Sequence, residues 1–516
     1  MLETSRVPAH RTSPRRPIPA AVLCALLGAS VAHAAEGDVT AVTIYSSARP
    51  GAIPPELYRP IPGSGIPSGM SVPGYAMVRQ ERPLRLESGR STIKFTDVAA
   101  LIDPTTVTFT SLSEPRTRVL EQNFQFDLVS TDKLLLKYLD RPITVERAVG
   151  NHMVSLSGTL LSSGDGLVLK ADDGSIHALQ GYTAVRFPEL PGGLNTKPTL
   201  VWDVQSPRAG EQRTRVTYQT GGMTWWADYN VVFNEGKDAN SGVLDLAAWV
   251  SIINQSGATY PDARLKLIAG DVNRAEPPQP ILVSKALERA DDAAGFEQKP
   301  FFEFHLYTLG RPTTLPNNST KQIELFDQAR QIPAKKVLVY YGLDVGRYIY
   351  PNPVTDRDLG LPMNRKVDVY LEFRNDKRSG LGLPLPAGRV RVSQLDAADG
   401  SLEFIGEDRI DHTPRDETVR VKLGSAFDVV GERRQVDFAV DTRARWVEEE
   451  VEITLRNHKN QPVEVLVKEN LYRWSNWNIV SKSHDFTRED ARTIHFPVKV
   501  PKDGEAVVKY RVRYTW

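Results

Sequence analysis

Apolar and polar residues alternate with a period of two through much of this chain. In "VDVYLEFRND", Val367, Val369, Leu371 and Phe373 share one face, and Asp368, Glu372 and Arg374 share the other with Tyr370. "VEITLRN" repeats the pattern, setting Val451, Ile453 and Leu455 against Glu452, Thr454 and Arg456. "TIHFPVKV" and "VVKYRVRYTW" follow it too. Successive side chains of a strand point to opposite faces, so this period marks strands with one buried and one wet face. Antiparallel sandwiches are built that way. The 36 prolines and 36 glycines in 516 residues supply turns and disfavour long helices. Only "TDKLLLKYL" (131–139) and "PILVSKALERADDAAG" (280–295) offer helical spacing. The expected fold class is all-β: multi-domain antiparallel β-sandwiches, a small barrel-like insertion and few short helices.

The N-terminus reads as a targeting segment. Arg11, Arg15 and Arg16 precede an apolar run at 18–32 that is short for a bilayer span, and "AHA" (32–34) fits a small-residue cleavage site. A secretory signal cut after Ala34 is expected, with no transmembrane span in the mature chain and a periplasmic or extracellular location. The only cysteine, Cys24, lies inside the apolar run. The mature chain would then hold no disulfide and no thiolate chemistry. Lys plus Arg is 64 and Asp plus Glu is 63, a balance that gives no reason to expect nucleic acid or an anionic surface as partner.

Turn signals divide the rest. Residues 35–130 read as an N-terminal β domain with a Pro/Gly-rich excursion at 50–74. Residues 131–190 read as a small barrel-like domain of hairpins, with turns at "SSGDG" and "ADDG". The segments 191–295 and 296–516 read as two sandwich parts of a C-terminal domain. Three strands end alike, in "SIINQSG", "LEFRNDKRSG" and "ITLRNHKN", where Asn254, Asn375 and Asn457 each begin a polar turn.

Several segments together resemble one family. "TGGMTWWADYNVVF", "SGATYPDARLKLIAGDVNR", the run "LGLPLPAGRVRVSQLDAADGSLEFIGEDRIDHTPRDETVRVKLGSAFDV" and "VEITLRNHKNQPVEVLVKENLYRWSNWNIV" look like the C-terminal domain of unknown function of mucoidy-inhibitor-like bacterial envelope proteins. The resemblance covers roughly 195–516, and "DVTAVTIYSSA" and "GRSTIKFTDVAALIDPTTV" are similar to the N-terminal domain that often accompanies it. Many members carry a long coiled coil between the two domains; this chain has the run at 141–187 instead. The resemblance implies bacterial export, an all-β fold and no established reaction.

Common catalytic patterns are absent from the sequence. The seven histidines beyond Ala34 include no two spaced three to five residues apart, so the usual zinc-hydrolase spacing is missing. There is no nucleophile elbow, phosphate loop or dinucleotide fingerprint. Catalytic residues, cofactors and metals are therefore not expected. Asp228, Asp271 and Glu407 are the carboxylates that a sugar hydrolase could use, and sequence cannot supply the separation such a pair needs. Trp226, Asp228, Asp271, Asn273 and Arg274 are the candidate ligand-binding residues.

The stretch "TRVTYQTGGMTWWADYNVVF" reads as a hairpin turning at Gly221-Gly222. Met223, Trp225, Ala227, Tyr229, Val231 and Phe233 fall on one apolar face, expected to be core. Trp226 falls opposite, with Thr224, Asp228 and Asn230, and is expected either to face a partner as a platform or, the favoured reading, to lie under a neighbouring loop. The function expected is that of an exported, non-catalytic binding or structural protein of the bacterial envelope, with an envelope protein or glycan as partner. The alternatives are an envelope glycan-binding module and a hydrolase of envelope glycan or peptide.

Overall fold

The alternating segments are strands throughout: among the described residues 65% are strand and 3% helix. The computed structural model describes residues 38–46, 53–58, 71–125, 129–149, 152–270, 272, 296–301, 303–343, 351–358, 364–396 and 398–516. The expected signal segment, the helical spacing at 280–295, and Asp271, Asn273 and Arg274 lie outside the described residues. No helix among the described residues is long and apolar enough to cross a membrane.

In chain order the elements are β1 (Val39–Tyr45), α1 (Pro55–Tyr58), β2 (Tyr75–Leu86), β3 (Gly89–Thr96), β4 (Ile102–Ser111), β5 (Arg118–Gln125) and α2 (Thr131–Lys137). The next run is β6 (Pro142–Val149), β7 (His152–Ser162), β8 (Leu167–Ala171), β9 (Ile176–Leu179) and β10 (Ala184–Arg186). Then come β11 (Thr199–Ser206), β12 (Gly210–Gly221), β13 (Met223–Glu235), β14 (Ser241–Asn254), β15 (Tyr260–Ala269), β16 (Phe296–Phe301), β17 (Phe304–Leu309), β18 (Thr313–Leu315) and β19 (Ser319–Tyr341). The chain ends with β20 (Lys366–Arg374), β21 (Gly388–Leu395), β22 (Leu402–Ile410), β23 (Thr418–Asp441), β24 (Trp446–Asn457), β25 (Val463–Asn470), β26 (Trp477–Lys482), β27 (Thr487–Arg488), β28 (Thr493–Val500) and β29 (Gly504–Thr515).

These strands form four sheets. An eight-stranded sheet runs β16-β17-β15-β1-β2-β12-β4, with β18 beside β15. A three-stranded sheet is β3-β11-β5, and residues 142–186 supply a five-stranded sheet, β10-β6-β7-β8-β9. The insertion curls on its own core of Leu135, Tyr138, Ile143, Val145, Leu160, Leu167 and Leu169, to which α2 contributes the first residue. The fourth sheet has thirteen strands, and its main path is β22-β21-β13-β14-β19-β20-β23-β24-β29-β26. Pairing is mostly antiparallel; β1–β15, β13–β21 and β19–β25 are parallel.

The sheets run across the boundaries read at 190/191 and 295/296. β2 pairs with β12, and β15 pairs with both β1 and β17. One continuous core joins the eight- and three-stranded sheets to the first half of the large sheet. That half curls until β22 meets β23. The Asp408 carboxylate accepts the Lys422 N–H at 2.7 Å, and a Cβ on Gly406 would lie 2.5 Å from Leu423 O. The second half forms a separate core around Val451, Ile453, Val465, Phe496 and Tyr510. β29, the last strand, lies between β24 and β26.

The three asparagines do the same job. Asn254, Asn375 and Asn457 are each at most 2% exposed. Each side-chain NH2 donates to carbonyls of two separate turns: Ala258 and Leu315, Leu383 and Pro414, Gln461 and Pro501. Each Oδ1 accepts a backbone N–H from Ser256, Gly382 or Lys459. The side chain thus satisfies turn groups that would otherwise be buried without partners.

One expectation is overturned. β12 and β13 do not form a hairpin: β12 pairs with β2 and β4, and β13 pairs with β14 and β21. Gly222 is the point at which the chain leaves one sheet for the sheet packed against it. Only the second glycine has positive φ, +73°, and a Cβ there would meet Leu101 Cδ1 at 2.7 Å and Gln255 O at 2.8 Å. At Gly221 the nearest atom is 3.9 Å away. Gly222→Ala is therefore expected to destabilise by about 1–3 kcal/mol through backbone strain and crowding. Gly221→Ala should change stability by less than about 1 kcal/mol. Urea midpoints of the two variants test this; equal midpoints would contradict it.

Candidate functional site

The strand β13 sorts its side chains as the alternation requires. Met223, Trp225, Ala227, Tyr229, Val231 and Phe233 are at most 2% exposed and belong to the main core. Trp225 donates Nε1–H to Ile268 O at 3.2 Å and meets Tyr307 edge-on. On the other face Trp226 is also covered. Ile53, Leu57, Val72 and Ile253 form a small apolar cluster with it, and the Tyr58 ring lies 5.5 Å away. The Pro-rich excursion thus places α1 on Trp226.

Asp228, two residues on, is 4% exposed and its carboxylate is fully engaged. Oδ2 accepts Trp226 Nε1–H at 2.8 Å and Ser251 Oγ–H at 2.7 Å. Oδ1 faces Arg389 Nη2 at 3.3 Å and Arg391 Nη1 at 3.5 Å. Gln322 supports Ser251 at 3.0 Å. Arg391 also donates Nε–H to Glu407 at 3.0 Å. Burial works to lower the Arg389 pKa, but Tyr58, Asp228 and Glu407 together raise it, so its charge is secure. Asp228 and Glu407 are therefore brought near one another, but with two guanidinium groups between them.

The register places further groups on this outer face. Trp249 on β14 stands opposite Asp228, and on its other side opposite Glu324 of β19. Asn230 stands opposite Arg391, which stands opposite Glu407. Trp249 is 37% exposed. Its outward neighbours along β14 are Ala247 and Ser251, both small. The signal for Trp249 was present in "LDLAAWVSI": Leu244, Leu246, Ala248 and Val250 take the buried face and leave it outside. "GRVRV" likewise exposes Arg389 and Arg391. Their meeting with Asp228, 161 residues away for Arg389, has no local signal.

A second charged cluster lies inside the C-terminal core. Arg433 donates Nε–H to Glu469 at 2.9 Å, Tyr510 donates its hydroxyl to the same carboxylate, and Arg473 donates Nε–H to Glu449 at 2.9 Å. Arg473 also bonds the carbonyls of Val354 and Asp356. All four charged side chains are at most 3% exposed. Gly342 makes room for them, since a Cβ there would lie 2.7 Å from Glu469 Oε1. Two cations and two anions balance, so the cluster offers no net charge to a ligand.

Among the described residues no group of three His, Asp or Glu side chains is placed to hold a metal. Two shallow depressions, of about 410 and 260 Å³, lie on the five-stranded insertion. The first is lined by no carboxylate and the second by one, Asp172. Comparison of the chain with family models, with curated proteins and with solved structures finds no match.

Two expectations follow. Trp225→Ala should cost about 3–5 kcal/mol, as core aromatic truncations do. Trp226→Ala should cost less, because α1 can settle onto the smaller residue; urea titrations of both variants decide, and a larger loss for Trp226→Ala would reverse the assignment. The second concerns alkali. Burial, followed by the nearby Glu469 or Glu449, pushes the Tyr510 and Tyr514 hydroxyls well above their ordinary value of 10.0. Burial raises Tyr260 to about 12. A raised folded pKa favours the protonated fold, so this stability is intact below pH 10.0 and is lost as pH climbs through about 12. Tyrosinate absorbance should show a class of tyrosines ionising together with loss of strand circular dichroism. A single titration near the ordinary value with the fold intact would contradict this.

Proposed function

We propose that this chain is an exported, non-catalytic β-sandwich protein of the bacterial envelope that works by binding, with the outer face around Trp249 as its binding surface. Export rests on the basic, apolar and small-residue series before Ala35. Kinship with the mucoidy-inhibitor-like envelope proteins rests on the segments between about 195 and 516. One structural observation carries the binding reading. An exposed tryptophan stands on a rigid, polar sheet face whose one buried acid, Asp228, already serves Trp226, Ser251, Arg389 and Arg391. A general acid or base must reach a substrate proton with a lone pair or proton to spare. Asp228 instead holds the arginines in place, which is a positioning role.

The test is co-sedimentation of the purified full chain with insoluble envelope material. The wild-type chain should sediment, Trp249→Ala should stay largely in solution, and the envelope material should release no soluble product. Sedimentation unaffected by Trp249→Ala would remove this face from the function. Release of soluble fragments by the wild-type chain would overturn the non-catalytic part.

A further inference from the structure

Resting on the binding reading, we infer that the ligand of the outer face is an uncharged oligosaccharide chain, lying across β21, β13, β14 and β19 with one ring stacked on Trp249. The indole is the first argument. It is the apolar element of a polar row, it is 37% exposed, and small residues flank it along its strand. A sugar ring has an apolar face of C–H groups, which the negative face of an indole attracts while shedding water. The rim of the ring carries hydroxyls, each a donor and an acceptor.

The polar neighbours supply matching groups. Asn230 offers both a donor and an acceptor, Glu324 accepts, and Arg391 donates. All three stand on paired strands, so their backbones are fixed before a ligand arrives. Strand spacing of about 4.8 Å places groups on four adjacent strands across roughly 14 Å, a span that suits a chain of linked rings better than a single small molecule. α1, seated on Trp226, borders this surface on one side.

Charge and topology argue against other ligand classes. Arg389 and Arg391 are already paired with Asp228 and Glu407, so these two guanidinium groups do not form an uncommitted cation pair for a phosphate or a polyanion. β13, β14 and β21 each have a partner strand on both sides, so an extended peptide finds no edge to join here.

The experiment is calorimetric titration of the full chain with cellohexaose, maltohexaose, chitohexaose and hexagalacturonate. At least one of the three uncharged hexasaccharides should bind. Trp249→Ala should weaken that binding at least about tenfold, and Trp249→Tyr should restore most of it. Phe427→Ala, at a residue 95% exposed on β23, should leave it unchanged. The urea midpoint of Trp249→Ala should equal that of the wild-type chain, which separates lost stacking from lost folding. Binding confined to hexagalacturonate overturns the uncharged class. Binding that Trp249→Ala leaves intact overturns the stacking site. If no hexasaccharide binds while Trp249-dependent co-sedimentation persists, the glycan inference falls and the binding face stands. If both fail, the binding reading falls with it.

Discussion

The first two-thirds of this structure depends on burial of one strand face. Met223, Trp225, Ala227, Tyr229, Val231 and Phe233 are closed off from water by the sheet that packs on β13 and by the curl of its own sheet. Fully burying a large apolar side chain is worth about 1.5–3 kcal/mol before entropy is set against it. Because that face is committed, the opposite one has no rotational freedom. Asp228, Asn230 and their neighbours must point outward in register with β14 and β21. The polar face is thus a by-product of the core, held to a precision that surface loops rarely reach.

The two charged constellations differ in what they can contribute. Around Asp228 the arginines are 20% and 30% exposed while the acid is buried, so solvent screening and the desolvation of the acid together offset much of the attraction. Their effect is geometric. Arg433, Glu469, Arg473 and Glu449 are buried, and desolvating four charges cancels much of their mutual attraction. Removing one member would nonetheless be severe, since it would strand its partner in the core. The cluster is thus a weak source of stability and a strong constraint on which side chains the C-terminal core accepts.

Alternation made the strands legible, and with them the inward placing of Trp225 and the outward placing of Trp226. It also places Glu449 inward, two residues before Val451 in "VEEEVEI", but local pattern cannot say that Arg473 waits there to receive it. Gly221-Gly222 has the local signature of a hairpin because adjacent glycines suit a hairpin and, through the positive φ of Gly222, this passage between stacked sheets alike; only the pairing of β12 with β2 tells them apart. The turn residues Asn254, Asn375 and Asn457 were visible as such. That each ties together two separate turns depends on contacts as distant as Leu315 and Pro501, which no local reading reaches. The same holds for Arg389 and Arg391 at Asp228.

Two strands are unusually long: β19 spans 23 residues and β23 spans 24. β19 pairs with β14 in its first part and with β20 and β25 in its second. β23 pairs with β20 and then with β24. The two cores are therefore joined by two continuous strands, whose ladders carry bulges, and not by a linker. Tension applied across the molecule would be carried along these two strands and resisted by many interstrand hydrogen bonds in shear, with no swivel between the cores to absorb it. A protein built this way transmits a pull on one core directly to the other.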